Sequence, residues 1–266
     1  MPCAERTTVG SLPAVRLTAP DGAQATITLY GAHLVSWRAA DGQERLFMSS
    51  RSALDGSRAL RGGVPVIFPQ FAARGDGMRH GFARVLPWQL AQAGNEDGAA
   101  FAVFVLTDDD LPAPQRAAWP HAFKLVLKVT VRARELAMTL SVLNTGSAAF
   151  PFAAALHTYH AVDALAAVRI AGLQAQPLTL DDKLDQVFLQ APSALTLHSG
   201  AGTLALSQRG FVDAVVWNPG AADAAALPDL AADDYRRFVC IEPALLGPQT
   251  LAPGASWHGD YRLTVQ

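Results

Sequence analysis

Two segments of this 266-residue sequence bring a proton-transfer group to the end of an apolar run. In Arg237-Phe238-Val239-Cys240-Ile241-Glu242-Pro243-Ala244, a carboxylate closes the run immediately before a proline, a poor place for an ordinary surface acid. Burial there would shift its pKa, which suits acid/base chemistry. A salt-bridged structural glutamate is the other reading of the same residues. In Ala155-Leu156-His157-Thr158-Tyr159-His160, an imidazole follows an apolar run that starts near Phe150. Histidine titrates near neutrality, so His157 is suited to general acid catalysis, while a hydrogen-bonded core histidine would look alike. His160 reads as a bystander. Brought together, His157 and Glu242 would make a usable acid/base couple.

Two further segments offer cations. Arg61-Gly62-Gly63-Val64-Pro65-Val66-Ile67-Phe68-Pro69-Gln70-Phe71 begins with a guanidinium and continues as an apolar run. Its glycine pair permits close backbone approach and its prolines restrict the chain, so the segment builds a wall. His80-Gly81-Phe82-Ala83-Arg84 adds an imidazole and a second guanidinium. Guanidinium groups match phosphate oxygens in fork geometry, so two arginines at one pocket would point to an anion. Taken singly, Arg61 is equally a surface ion-pair residue, and His80 and Arg84 equally a structural histidine and a strand-edge charge.

The elements that must position these groups are strands. Phe123, Leu125, Leu127, Val129 and Val131 alternate with mostly polar neighbours, and Leu136, Met138, Leu140 and Val142 repeat the pattern after a turn at Arg132 to Glu135. Period two of this kind is an antiparallel hairpin with one buried face. Shorter strands are expected at Ala25 to Leu29, His33 to Arg38, Phe101 to Leu106, Thr203 to Leu206, Ala214 to Trp217, Phe238 to Ile241 and Tyr261 to Val265. No long stretch keeps a helical period, and the Ala- and Asp-rich stretch from Gly220 to Asp234 reads as a loop with a short helix. The expectation is an all-β fold, one large antiparallel β-sandwich over residues 1–266 without internal repeats.

Composition narrows the partners. A formal charge of −2 and a pI near 6.4 give no basic footprint for nucleic acid or an anionic membrane surface. Apolar runs such as Phe150 to Leu156 are far short of the roughly 20 residues that cross a bilayer. The N-terminal residues are charged and polar, and Cys3 and Cys240 lack the spacing of a disulfide framework or a zinc site. A cytoplasmic protein with free thiols is expected.

In order along the chain, these segments resemble the glucose-6-phosphate 1-epimerase group of the aldose 1-epimerase (galactose mutarotase-like) superfamily. The pattern runs from Arg61 to Phe71, then His80 to Arg84, Trp119-Pro120-His121-Ala122-Phe123 and Leu156-His157-Thr158-Tyr159. It continues through Asp182-Lys183, Asp213-Ala214-Val215-Val216-Trp217-Asn218-Pro219, Phe238 to Pro243, and Leu251-Ala252-Pro253-Gly254 with Trp257. The resemblance spans nearly the whole chain. It implies a β-supersandwich with an open groove, needing neither metal nor organic cofactor, that interconverts the α and β anomers of a hexose 6-phosphate. The partner expected is the sugar phosphate alone, met by a monomer.

By the same resemblance, Glu242 is the base that takes the anomeric hydroxyl proton and His157 the acid that protonates the ring oxygen. His80 orients the sugar, Asp213 accepts a sugar hydroxyl, Arg61 and Arg84 clamp the phosphate, and Gln70 lines the groove. Asp182 and Lys183 match a family pair whose task, substrate contact or loop support, is open. The sequence departs from the family pattern at Ala72 to Arg79, which adds two arginines, at His160, where relatives often carry an aromatic residue, and at Gly220, where some have a large side chain. Two other functions remain in view. A mutarotase of unphosphorylated aldoses would have no need of the arginine pair, and a non-catalytic carbohydrate-binding sandwich no need of both proton-transfer groups.

Overall fold

The computed structural model describes residues 3–200 and 202–266. The hairpin read from alternation is present as Phe123–Arg132 paired with Glu135–Asn144, and the apolar member of each alternating pair is buried. These strands lie in a nine-stranded sheet that runs in space from Leu178–Thr179 to Gln89–Glu96, with Ser256–Val265 beside Glu135–Asn144. A four-stranded meander, Ala4–Val9, Leu12–Thr18, Gln24–Thr28 and Leu34–Arg38, forms a second sheet. All the strand pairings described are antiparallel.

The third sheet carries Glu242. Its strands run in the order Leu184–Phe188, Asp213–Asn218, Phe238–Leu251, Phe150–Leu156 and Val66–Ile67, with Tyr159–Ala161 also paired to Phe238–Leu251. Phe238 to Leu246 are buried without a break, because both faces of this strand are covered. Val239, Ile241 and Leu245 belong to the main core, whereas Ala244 and Leu246 join a small cluster with Ile67, Ala153, Ala155 and Val215. By the two-residue period, Glu242 shares the face of Ala244 and Leu246. The third sheet therefore buries one face in the core and turns the other, with Glu242, towards a cavity.

One expectation is corrected here. The strand expected to stop at Ile241 continues to Leu251, so Glu242 and Pro243 are interior to it. The ladder on one side is interrupted between the Tyr159–Cys240 and Ala155–Ala244 pairs. Facing that gap, His157 and Thr158 separate Phe150–Leu156 from Tyr159–Ala161. Two interruptions therefore meet, and the histidine and the glutamate lie at their junction.

Strands at Ala4–Val9, Leu12–Thr18, Leu184–Phe188 and Ala194–Ser199 escaped the sequence reading. In Ala4–Val9 and Leu184–Phe188 no residue is fully buried, so neither has an apolar alternation to find. The helix Gly220–Ala226 sits in the loop where a short one was expected. Among the described residues no helix is long and apolar enough to cross a membrane.

Candidate active site

The wall segment is built as its glycines require. Gly63 has φ +59, and a Cβ there would stand 2.3 Å from the Leu34 carbonyl oxygen and 2.8 Å from His33 Nε2. Gly81, at φ +66, packs its backbone against the Phe68 carbonyl just as closely. Between them the chain turns so that Arg61, His80 and Arg84 all face one cavity of about 460 Å³. His80 itself sits at φ +63, the left-handed region that side chains usually avoid.

His157 and Glu242 form the floor of this cavity. Nδ1 of His157 lies 3.3 Å from Oε1 of Glu242, and the two side chains are 11% and 1% exposed. The contact is close but not aligned as a hydrogen bond, and His157 Nδ1 and Glu242 Oε2 have no hydrogen-bond partner among the described residues. The imidazole is held from three sides. It stacks on Tyr159, with centroids 4.9 Å apart and planes 12° apart, and meets His80 and Trp217 edge to face. Its backbone N–H donates to the Pro65 carbonyl at 3.0 Å, tying it to the wall segment.

Burial sets the proton affinities of this floor. It pushes Glu242 well above the carboxylate range, with nearby Asp185 adding to the rise. Burial pushes His157 well below the ordinary imidazole value, helped by His80, Arg61 and Arg84. The two shifts agree on one state, a protonated carboxyl beside a neutral imidazole. His80 is lowered to about 3 by burial and by Arg84, Arg79 and Arg61, so it too is neutral. Its Nδ1 accepts the Ala72 N–H at 3.3 Å, which assigns the ring proton to Nε2.

The rim is cationic. Arg58, Arg61, Arg74, Arg79 and Arg84 line the cavity, against the acids Asp185, Asp229 and Glu242. Arg61 is already engaged: Nε and Nη2 donate to the two carboxylate oxygens of Asp229, both at 3.2 Å, and Nη1 donates to the Tyr159 hydroxyl at 3.1 Å. Arg84 is freer. Its Nη2 donates to the Arg79 carbonyl at 2.9 Å, and its buried Nε has no hydrogen-bond partner among the described residues. A second cavity of about 510 Å³, beside Phe47 and Arg237, holds no such chemistry; its Glu44 carboxylate is bound to the N–H groups of Trp37, Arg45 and Leu46.

Comparison with known proteins settles the family. The aldose 1-epimerase family profile matches residues 13–179. A Cenchrus ciliaris protein provisionally named a glucose-6-phosphate 1-epimerase is 32% identical, over 91% of this chain and 81% of its own. A Salmonella typhimurium protein with the same provisional name is 30% identical, over 82% of this chain and 79% of its own. The crystal structure of a provisionally named mutarotase from Salmonella typhimurium superimposes with a TM-score of 0.90 at 28% identity, covering 100% of this chain and 94% of that one. The chain belongs to the aldose 1-epimerase family.

Of the residues singled out in this aldose 1-epimerase sequence, Arg61, His80, Arg84, His157 and Glu242 line one cavity, and two do not. Asp213 is bonded to backbone: its Oδ1 accepts the Gln190 N–H at 3.1 Å and its Oδ2 the Leu246 N–H at 2.9 Å. Gln70 is likewise bonded to backbone. Its amide bonds to the Ala72 and Gly77 carbonyls and the Gly77 N–H, so it braces the loop that carries Arg74 and Arg79.

The Asp182-Lys183 pair also supports a loop, with Asp182 accepting the Ala221 N–H and Lys183 bridging to Asp223 at 2.8 Å. Gly220 is required there, since a Cβ would stand 2.4 Å from Asp182 Oδ1. His160 is fully buried with Nε2 3.2 Å from the Tyr261 hydroxyl, outside the cavity lining, a bystander as expected. Sequence reading missed Asp185, Asp229 and Trp217 as lining residues. Asp229 had one signal, an acid within the Ala- and Asp-rich loop; Asp185, on an unpatterned strand, had none.

Proposed function

We propose that this aldose 1-epimerase family member is a mutarotase of hexose 6-phosphates. The observation that carries the reading is the buried His157–Glu242 contact at the floor of an arginine-rimmed cavity. Anomer exchange needs one proton removed from the C1 hydroxyl and one delivered to the ring oxygen, after which C1 becomes an aldehyde. Rotation about C1–C2 and attack by O5 on the other face close the ring with both transfers reversed. A carboxyl and an imidazole that share one proton supply both steps with no change of net charge.

In ring opening, Glu242 as carboxylate takes the hydroxyl proton and His157 as imidazolium gives one to O5, leaving carboxyl and neutral imidazole. That end state is the one burial favours. The starting state differs from it by one proton moved across the 3.3 Å gap. Neutral His80 presents Nε2–H as a donor to the sugar, and Asp185, which lines the cavity, accepts a sugar hydroxyl. Arg84, with its unpartnered Nε, leads the phosphate clamp, and Arg74 and Arg79 extend it. Arg61 contributes the N–H groups that Asp229 and Tyr159 leave unused. The names of the two relatives support the phosphorylated substrate. Two free thiols fit a cytoplasmic enzyme, and it is proposed to act there as a monomer.

The test is the approach of freshly dissolved α-glucose 6-phosphate to anomeric equilibrium, followed by NMR for wild type, Glu242→Gln and Arg84→Ala, with glucose in parallel. Glu242→Gln is expected to lose about 10²–10⁴ in kcat, the span of one general acid or base. Arg84→Ala is expected to lower kcat/KM for the phosphate ester by about 10–100-fold, as for a charge-assisted hydrogen bond, and to spare glucose. No acceleration by wild type with any hexose phosphate sinks the proposal.

A further inference from the structure

Cys240 has no part in the chemistry above, yet the fold brings it against the acid/base pair. It lies two residues before Glu242 on the same strand, and so on the same face, in register with Tyr159 and Trp217. One ligand atom from each of His157, Cys240 and Glu242 lies within 4.8 Å of the other two, and all three residues are buried. Two of these groups also have unused capacity, since among the described residues His157 Nδ1 and Glu242 Oε2 lack hydrogen-bond partners. The 3.3 Å between Nδ1 and Oε1 is the span of two ligand atoms held by a tetrahedral zinc ion at about 2.0–2.1 Å each.

Imidazole, thiolate and carboxylate together are a ligand set suited to zinc, and three protein ligands leave a fourth position for water or a sugar hydroxyl. The cavity floor at the His157–Glu242 gap gives an ion its way in. Along the chain these residues have no zinc-site spacing, so the set exists only through the register of the sheet.

We propose that His157, Cys240 and Glu242 form an inhibitory site for a thiophilic divalent cation, zinc in the first instance. On binding, the thiol and the carboxyl each lose a proton to solvent, sulfur and oxygen bond to the ion, and the His157 lone pair makes the third bond; nothing is oxidised or reduced. The ion then occupies both groups that must exchange protons with the sugar, and ring opening stops. The inhibition rests on the mutarotase reading, whereas the binding does not.

Calorimetric titration of zinc chloride into the metal-free full chain tests the site without reference to turnover. One ion per chain is expected, and cadmium in its place is expected to give the ultraviolet thiolate-to-metal charge-transfer band. Both Cys240→Ala and Cys240→Ser are expected to abolish that band and weaken zinc binding by at least about tenfold, the lower end of what even outer-sphere substitutions cost a metal site. Cys3→Ala is expected to keep both signals. In the anomer assay, zinc is expected to suppress the wild-type rate, a chelator to restore it, and either Cys240 variant to need about tenfold more zinc for the same fractional loss. Unchanged zinc affinity and unchanged fractional inhibition in a Cys240 variant with wild-type circular dichroism would overturn the proposal. Zinc bound as described by a chain that turns over no sugar would sustain the site and sink the mutarotase reading. Normal turnover with no zinc bound would do the reverse.

Discussion

At the scale of single residues, the proposed working unit is a carboxyl and an imidazole that exchange protons with the sugar. Burial raises Glu242 and lowers His157, so both shifts favour the uncharged form of each group, a carboxyl beside a neutral imidazole. Acidification adds a second proton at the imidazole, below the usual histidine range, and leaves no acceptor. Alkali removes the only proton from the carboxyl, above the usual carboxylate range, and leaves no donor. The pH profile of kcat is therefore expected to be bell-shaped, with limbs that belong to the pair and a plateau wider than an unperturbed Glu–His couple would give. A single acid limb at the ordinary carboxylate pKa would contradict the shared proton. His157 and Glu242 were legible in the sequence because each closes an apolar run. Asp185 was not, because only the order of strands in the sheet brings it to the cavity.

Elements decide which polar residues reach the sugar and which hold the strands that do. Asp213 was read as a sugar acceptor from the family resemblance, and in the sheet it accepts two backbone N–H groups, one on each neighbouring segment. A side chain that accepts backbone donors and one that accepts a sugar hydroxyl have the same sequence signature, an acid at a strand end. Asp213→Ala is expected to leave the buried Leu246 N–H unpaired and to destabilise the fold by about 1–3 kcal/mol, with KM for the sugar nearly unchanged. Denaturant titration and steady-state kinetics on the same variant check both halves. A raised KM at unchanged stability would return Asp213 to the sugar.

Other elements follow the same logic of what patterning records. Strands that bury one face, such as Phe123–Arg132, were fully legible from alternation. Strands buried on both faces, such as Phe238–Leu251, were found but cut short at a proline, because sequence alone does not show a ladder already interrupted there. Polar strands such as Ala4–Val9 were missed, since pairing through backbone groups leaves no trace in side-chain type.

For the whole molecule, the number of independently folding units is the open quantity. The principal core cluster contains Leu17 and Trp37 from the four-stranded sheet, Leu127 and Leu140 from the nine-stranded sheet, and Leu156 and Ile241 from the site-bearing sheet. The floor residue Glu242 and the segments that carry Arg61 and Arg84 are thus mounted on one continuous apolar mass, which is what a site held to within about 0.5 Å needs. Residues 1–266 as one domain imply a single unfolding transition, coincident when followed by tryptophan fluorescence and by circular dichroism. A saturating hexose phosphate is expected to shift that whole transition upward, by about 2.7 kcal/mol at a hundredfold excess over Kd, because it binds only where the third sheet and the wall are both formed. Two separated transitions, of which only one moves with ligand, would divide the chain and place the site in a part of it.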